Sequence, residues 1–139
     1  MSEPESAHPP FTVVRMFTDD AGHTRFEDLP IPGPVVSLPG DPASHVLGDV
    51  PATTVNVIEL LARRKPLSLH APPRRQWVII LQGALEISTE LGERRRFTAG
   101  HCLLAEDMVG TGHTTDDVGA ERLVTFNIGV PDDWSWPDS

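Results

Sequence analysis

Apolar and polar positions alternate with a period of two along most of the chain, the pattern of strands with one buried face. Thr12 to Phe17 alternates, Asp19-Asp20-Ala21-Gly22 supplies turn chemistry, and His23 to Leu29 resumes as a second strand. Pro30 to Pro51 holds six prolines and three glycines and reads as a long irregular connection with one or two short strands, such as Val35 to Leu38. Thr53 to Leu61 is β-branched and apolar without a helix cap at its start. Ile58 to Arg64 has good helical propensity, but Pro66 would end a helix at once, and strand is the preferred reading. Ser68 to His70 is short and extended. Arg75 to Leu81 reads as a buried strand, which Gln82-Gly83 turns into Ala84 to Thr89. Glu90 to Gly92 turns again into Arg94 to Phe97, and Ala99-Gly100 precedes Cys102 to Ala105. Glu106 to Gly112 is a loop, and Glu121 to Ile128 is the last clear strand. Strands this short and regular, with almost no helix, predict an all-β sandwich or barrel.

Length and charge narrow the function. The 139 residues fit one domain, here 11–130, with an N-terminal tail at 1–10 and a C-terminal tail at 131–139. Trp134 and Trp136 in the second tail sit among carboxylates, and their indoles are expected to cover the barrel wall or a second subunit. Eleven basic against 20 acidic residues give a net charge of −9, which argues against nucleic acid and anionic lipid as partners. The single Cys102 forms no internal disulfide and builds no multi-cysteine zinc site, and it reads as a small core residue. No secretory signal or membrane span is visible, so the expected compartment is the cytoplasm.

The most informative stretch is His70-Ala-Pro-Pro-Arg-Arg-Gln76-Trp-Val-Ile-Ile-Leu-Gln-Gly83, followed by Ala-Leu-Glu-Ile, Arg-Arg-Phe-Thr-Ala-Gly100 and Gly112-His113. It resembles the cupin family over roughly residues 68–130, and the resemblance implies a single-domain jelly-roll β-barrel with a central pocket. His70 stands at the family's first histidine position and His113 at the histidine of its second motif. The second histidine position holds Pro72, the glutamate position holds Gln76, and His101 stands where an aspartate usually follows the turn glycine. The family's four-ligand metal set is thereby reduced to two histidines and one amide.

Strand alternation places residues 70, 76, 78 and 80 on one side, so Val78 and Ile80 form an apolar floor beneath Gln76 and His70. Trp77, Ile79 and Leu81 face the other way and need a second cover, which fits a homodimer. An amide is a poor ligand for Fe, Ni, Mn or Zn, so a metal-free pocket is the expectation. A metal held by His70, Gln76 and His113 is the alternative. In the metal-free pocket His70 and His113 exchange protons and Gln76 donates to a developing enolate. Arg74 or Arg75 at the mouth clamps a carboxylate, and Glu106 or Asp107 lines the site or orients an imidazole. Such a set suits isomerisation, dehydration, cyclisation or decarboxylation of a small organic substrate. A metal-dependent dioxygenase and a non-catalytic binding protein are the rival expectations. Asp116-Asp117 and Arg94-Arg95-Arg96 read as surface.

Overall fold

The computed structural model describes residues 11–31, 36–46, 50–60, 72–110, 112–118 and 122–135. They contain eleven strands and no helix: β1 (Phe11–Thr18), β2 (Thr24–Ile31), β3 (Val36–Leu38), β4 (Asp41–Val46), β5 (Val55–Leu60), β6 (Gln76–Gln82), β7 (Ala84–Thr89), β8 (Arg94–Thr98), β9 (Cys102–Ala105), β10 (His113–Asp117) and β11 (Leu123–Gly129). The protein is all-β. Six strands form one sheet in the order β2-β1-β9-β6-β11-β5, three form a second in the order β10-β7-β8, and β3 pairs with β4 in a separate ribbon. Among the described residues no backbone ladder joins the sheets into a closed barrel.

Side chains join the two larger sheets. Met16, Ile80, Leu103, Ala105 and Leu123 from the six-stranded sheet pack against Leu85, Ile87 and Phe97 from the three-stranded one. Register explains the sharing of a face: Val78 lies opposite Leu103 on β9 and opposite Asn127 on β11, and Met16 on β1 lies beside Ala105 on β9. The core is therefore the space between the sheets, and a site built from the inward rows of β6, β10 and β11 opens into it.

The other face of the large sheet carries its own apolar cluster. Val13, Trp77, Leu104 and Val130 are buried there, with Trp134 packed against them. The second cover expected for Trp77 is thus supplied from within its own chain. Farther along the same face Leu81 stays exposed, as do Val55 and Val57 on β5. Beneath Trp134, Arg75 donates to the backbone carbonyls of Pro131 and Trp134, ion-pairs with Glu106, and sits over the indole at 5.6 Å. Arg15 holds the other Glu106 oxygen at 2.6 Å. Burial opposes the Arg15 charge, but the bonds to Glu106 and Glu27 outweigh it and raise its pKa. The C-terminal segment through Trp134 is strapped down by this network, whereas Trp136 lies outside the described residues.

One turn shows why its residue is fixed. Gly83, between β6 and β7, has φ +88°, and a Cβ there would lie 2.6 Å from the Arg122 carbonyl oxygen and 2.8 Å from Leu123 Cα. The hairpin and the entry to β11 can approach this closely only without a side chain. Residues 116 and 117, read from the sequence as surface, end β10, where Asp116 lies opposite Glu86 of β7. No helix among the described residues is long and apolar enough to cross a membrane.

Candidate functional site

A cavity of about 480 Å³ lies between the sheets. Its walls are mostly apolar, with Met16, Val78, Leu85 and Ile87 among them, and its polar groups come from Gln76, His113, Thr115, Thr125 and Asn127, together with Glu59, whose carboxylate is ion-paired with Arg122. The alternation of the strands delivers these groups. On β10 His113 and Thr115 lie opposite Thr89 and Ile87 of β7, both positions facing the interior. On β11 the inward row is Leu123, Thr125 and Asn127, and on β6 it begins with Gln76.

His113 is 5% exposed and lies against Asp107, which is completely buried. Its Nδ1 is 2.6 Å from Asp107 Oδ2, and the Thr24 hydroxyl donates to the same oxygen at 2.8 Å. Asp107 is held by its loop: the Glu106 N–H donates to the Met16 carbonyl at 2.7 Å, anchoring the residue just before it to β1. A carboxylate behind the ring fixes the tautomer, with the proton on Nδ1 and the basic lone pair on Nε2. Asp107 Oδ1 is buried and has no hydrogen-bond partner among the described residues.

Gln76 and Asn127, each 6% exposed, occupy the same wall. Gly129 lies opposite Gln76 and Asn127 opposite Val78, so the two amides are diagonal neighbours across adjacent strands. The Thr125 hydroxyl donates to Asn127 Oδ1 at 2.7 Å, which orients the Asn127 amide nitrogen as a donor.

The other expected site residues fall in different places. Val78 lines the cavity with Gln76 and His113. Ile80 lies deeper in the apolar core, 1% exposed. Arg75 and Glu106 bind each other on the opposite face of the sheet, away from the cavity. Arg74 Nη1 lies 3.4 Å from the Thr54 hydroxyl, and the Asn56 amide oxygen accepts from the same nitrogen at 2.8 Å. Neither arginine therefore stands over the cavity to clamp a carboxylate. Asp107 sits behind His113 rather than in the wall. His70 lies outside the described residues. Asn127 and Thr125 were not anticipated, although the inward row Leu-x-Thr-x-Asn of the last strand is a visible sign of polar residues placed against a core.

Among the described residues no three His, Cys, Asp or Glu side chains converge as metal ligands. His113 is the one imidazole in the described wall; the other polar groups there are amides and hydroxyls, which suit Fe, Ni, Mn or Zn poorly, and the carboxylate of Glu59, which is taken up by Arg122. This donor set does not fit the cupin metal. Cys102 opens β9 on the outer face, packed against the Trp77 cluster, and burial pushes its thiol pKa up to about 11. It is a free thiol, and the raised pKa keeps it from being a ready nucleophile. His101 is exposed, and its Nδ1 accepts the Thr98 N–H at 2.9 Å to close the turn between β8 and β9.

No family model matches the chain, and no curated protein shows significant similarity to it.

Proposed function

We propose that the chain is a cupin-type jelly-roll enzyme that moves a proton next to the carbonyl of a small organic substrate, as a lyase, isomerase or cyclase. One observation carries the reading: a buried Asp107–His113 pair stands at the wall of an apolar cavity that also holds two amides. His113 accepts the substrate proton on Nε2, and Asp107 stabilises the imidazolium that results. The negative charge that develops on the carbonyl oxygen is met by the amide N–H groups of Asn127 and Gln76. The imidazolium then returns the proton, either to another carbon, which completes an isomerisation, or to a departing hydroxyl, which completes a dehydration. The apolar walls exclude water and strengthen each of these interactions.

The test is hydrogen–deuterium exchange next to the carbonyl in a panel of small ketones, lactones and lactams, followed by NMR in D2O. Wild-type protein is expected to exchange at least one of them, and His113→Gln to lose about 10²-fold or more of that rate. Equal exchange by both proteins, or none by wild type, overturns the reading and leaves a binding protein. Chelation with EDTA is expected to leave the exchange unchanged.

A homodimer and a cytoplasmic setting belong to the same reading. The exposed Val55, Val57 and Leu81 form the apolar remainder of the outer face and are where a second copy is placed. Sedimentation is expected to give twice the mass of one chain, and a single-chain mass at micromolar concentration contradicts it.

A further inference from the structure

Two buried carboxamides without a partner for their inward edges are costly to keep in an apolar cavity. The Gln76 side chain forms no hydrogen bond with any described residue, although the residue is only 6% exposed. Asn127 spends its oxygen on Thr125, and among the described residues its amide nitrogen has no acceptor. Neither group is among the buried orphans sealed in protein; Asp107 Oδ1 alone has that status among the described residues. The polar atoms of Gln76 and Asn127 therefore open onto the cavity they line. Buried polar groups are ordinarily satisfied, and exceptions of this kind mark where something else binds.

The geometry points to an uncharged ring compound with a lactam-like edge as the ligand of this cavity: one N–H donor beside one carbonyl acceptor. This deepens the function proposed above by naming its substrate class. Gln76 presents a carbonyl and an NH2 side by side, the complement of a cis-amide edge, and it can hold both partners of that edge at once. Asn127, a diagonal neighbour, adds a donor to the second lone pair of the same carbonyl, where charge would gather if His113 removed a nearby proton. Carboxylates suit the site poorly. They bring no donor for the Gln76 oxygen, and the acidic groups at the wall, Glu59 in the lining and Asp107 behind the imidazole, repel an anion. The walls of Met16, Val78, Leu85 and Ile87 provide the apolar surface for the ring.

Three probes of one shape separate the possibilities: 2-quinolone, which carries the lactam edge; N-methyl-2-quinolone, which lacks the donor; and quinoline-2-carboxylate, which is an anion. Affinities are read by NMR titration of the full chain. 2-Quinolone is expected to bind about tenfold or more tightly than either of the others, because each alternative leaves a buried polar group unpaired. In Gln76→Met that advantage is expected to vanish while the melting temperature holds or rises, since an unpaired amide is replaced by an apolar chain of similar length. Equal affinities in wild type, a preference for the carboxylate, the absence of saturable binding by all three, or an undiminished gap in Gln76→Met each overturns the assignment. His113→Ala keeps the lactam preference if the edge is read by Gln76 and Asn127. Loss of proton exchange with selectivity intact therefore marks His113 alone, and loss of selectivity with exchange intact marks the ligand assignment as wrong.

Discussion

Replacing Asp107 by alanine removes the one acceptor shared by two buried donors, the Nδ1–H of His113 and the hydroxyl of Thr24. Thr24 and Asp107 are fully buried and His113 nearly so, and both donors are shielded from bulk solvent. Each donor left unpaired in such a place costs about 1–3 kcal/mol. Against this stands a gain, because Asp107 Oδ1 has no described partner and its burial is already unfavourable. The balance is a loss of about 3 kcal/mol, which for a chain of this length lowers Tm by roughly 10 °C. Thr24→Val removes a donor instead of an acceptor and leaves the His113 bond in place, so its cost is about 1 kcal/mol, or roughly 3 °C. The double variant is then no less stable than Asp107→Ala alone, because it no longer contains the stranded hydroxyl. Thermal unfolding followed by circular dichroism checks all three. An Asp107→Ala protein that melts within about 2 °C of wild type would falsify the shared-acceptor account. So would costs that simply add.

Three further outcomes follow from local geometry. Gly83→Ala puts a Cβ 2.6 Å from the Arg122 carbonyl oxygen at a positive φ, and a loss of about 3 kcal/mol or failure to fold is expected; expression and urea unfolding check it. Glu106→Gln leaves Arg15 and Arg75 without their shared carboxylate and loosens the strap on Trp134. A stability loss of about 2 kcal/mol with red-shifted tryptophan emission is expected, and unchanged emission would refute the strap. Burial holds the Cys102 thiol neutral up to about pH 11, whereas in the unfolded chain it ionises near its ordinary value of 9.0. Its contribution to stability is therefore complete below pH 9 and is lost as pH rises from 9 towards 11, by up to about 2–3 kcal/mol. Cys102→Ala is expected to flatten that alkaline loss, and a thiol reagent at pH 8 to label the native protein far more slowly than the unfolded one.

How far the sequence revealed this arrangement depended on whether a strand's inward positions are apolar. β7 and β9 run over the residues expected, because Leu85, Ile87 and Leu103 face the core in plain alternation. β10 went unrecognised although it alternates just as regularly. Its outward positions are Thr114 and Asp116, and its inward ones are His113 and Thr115, so polarity shows no period. The same substitution of polar for apolar residues gives Thr125 and Asn127 on β11, where the flanking hydrophobics kept the strand visible but not the role of its polar members. The carboxylate behind His113 was readable only as a choice between Glu106 and Asp107. Adjacent residues project in different directions, and the fold sends one to Arg15 and Arg75 and the other to Thr24 and the imidazole.

Pattern and chemistry thus trade against each other at the wall of the cavity. Each inward position given to an amide, hydroxyl or imidazole removes apolar burial worth about 1.5–3 kcal/mol for a leucine-sized side chain. Five such positions gathered on β6, β10 and β11 amount to a sizeable fraction of the stability of an ordinary domain. Polar residues scattered by drift would lie on any strand. These gather on three of the strands that border one cavity, with one carboxylate fixed behind the one imidazole in the described wall, a concentration that packing alone does not require and that supports the proposed chemistry on a bound molecule.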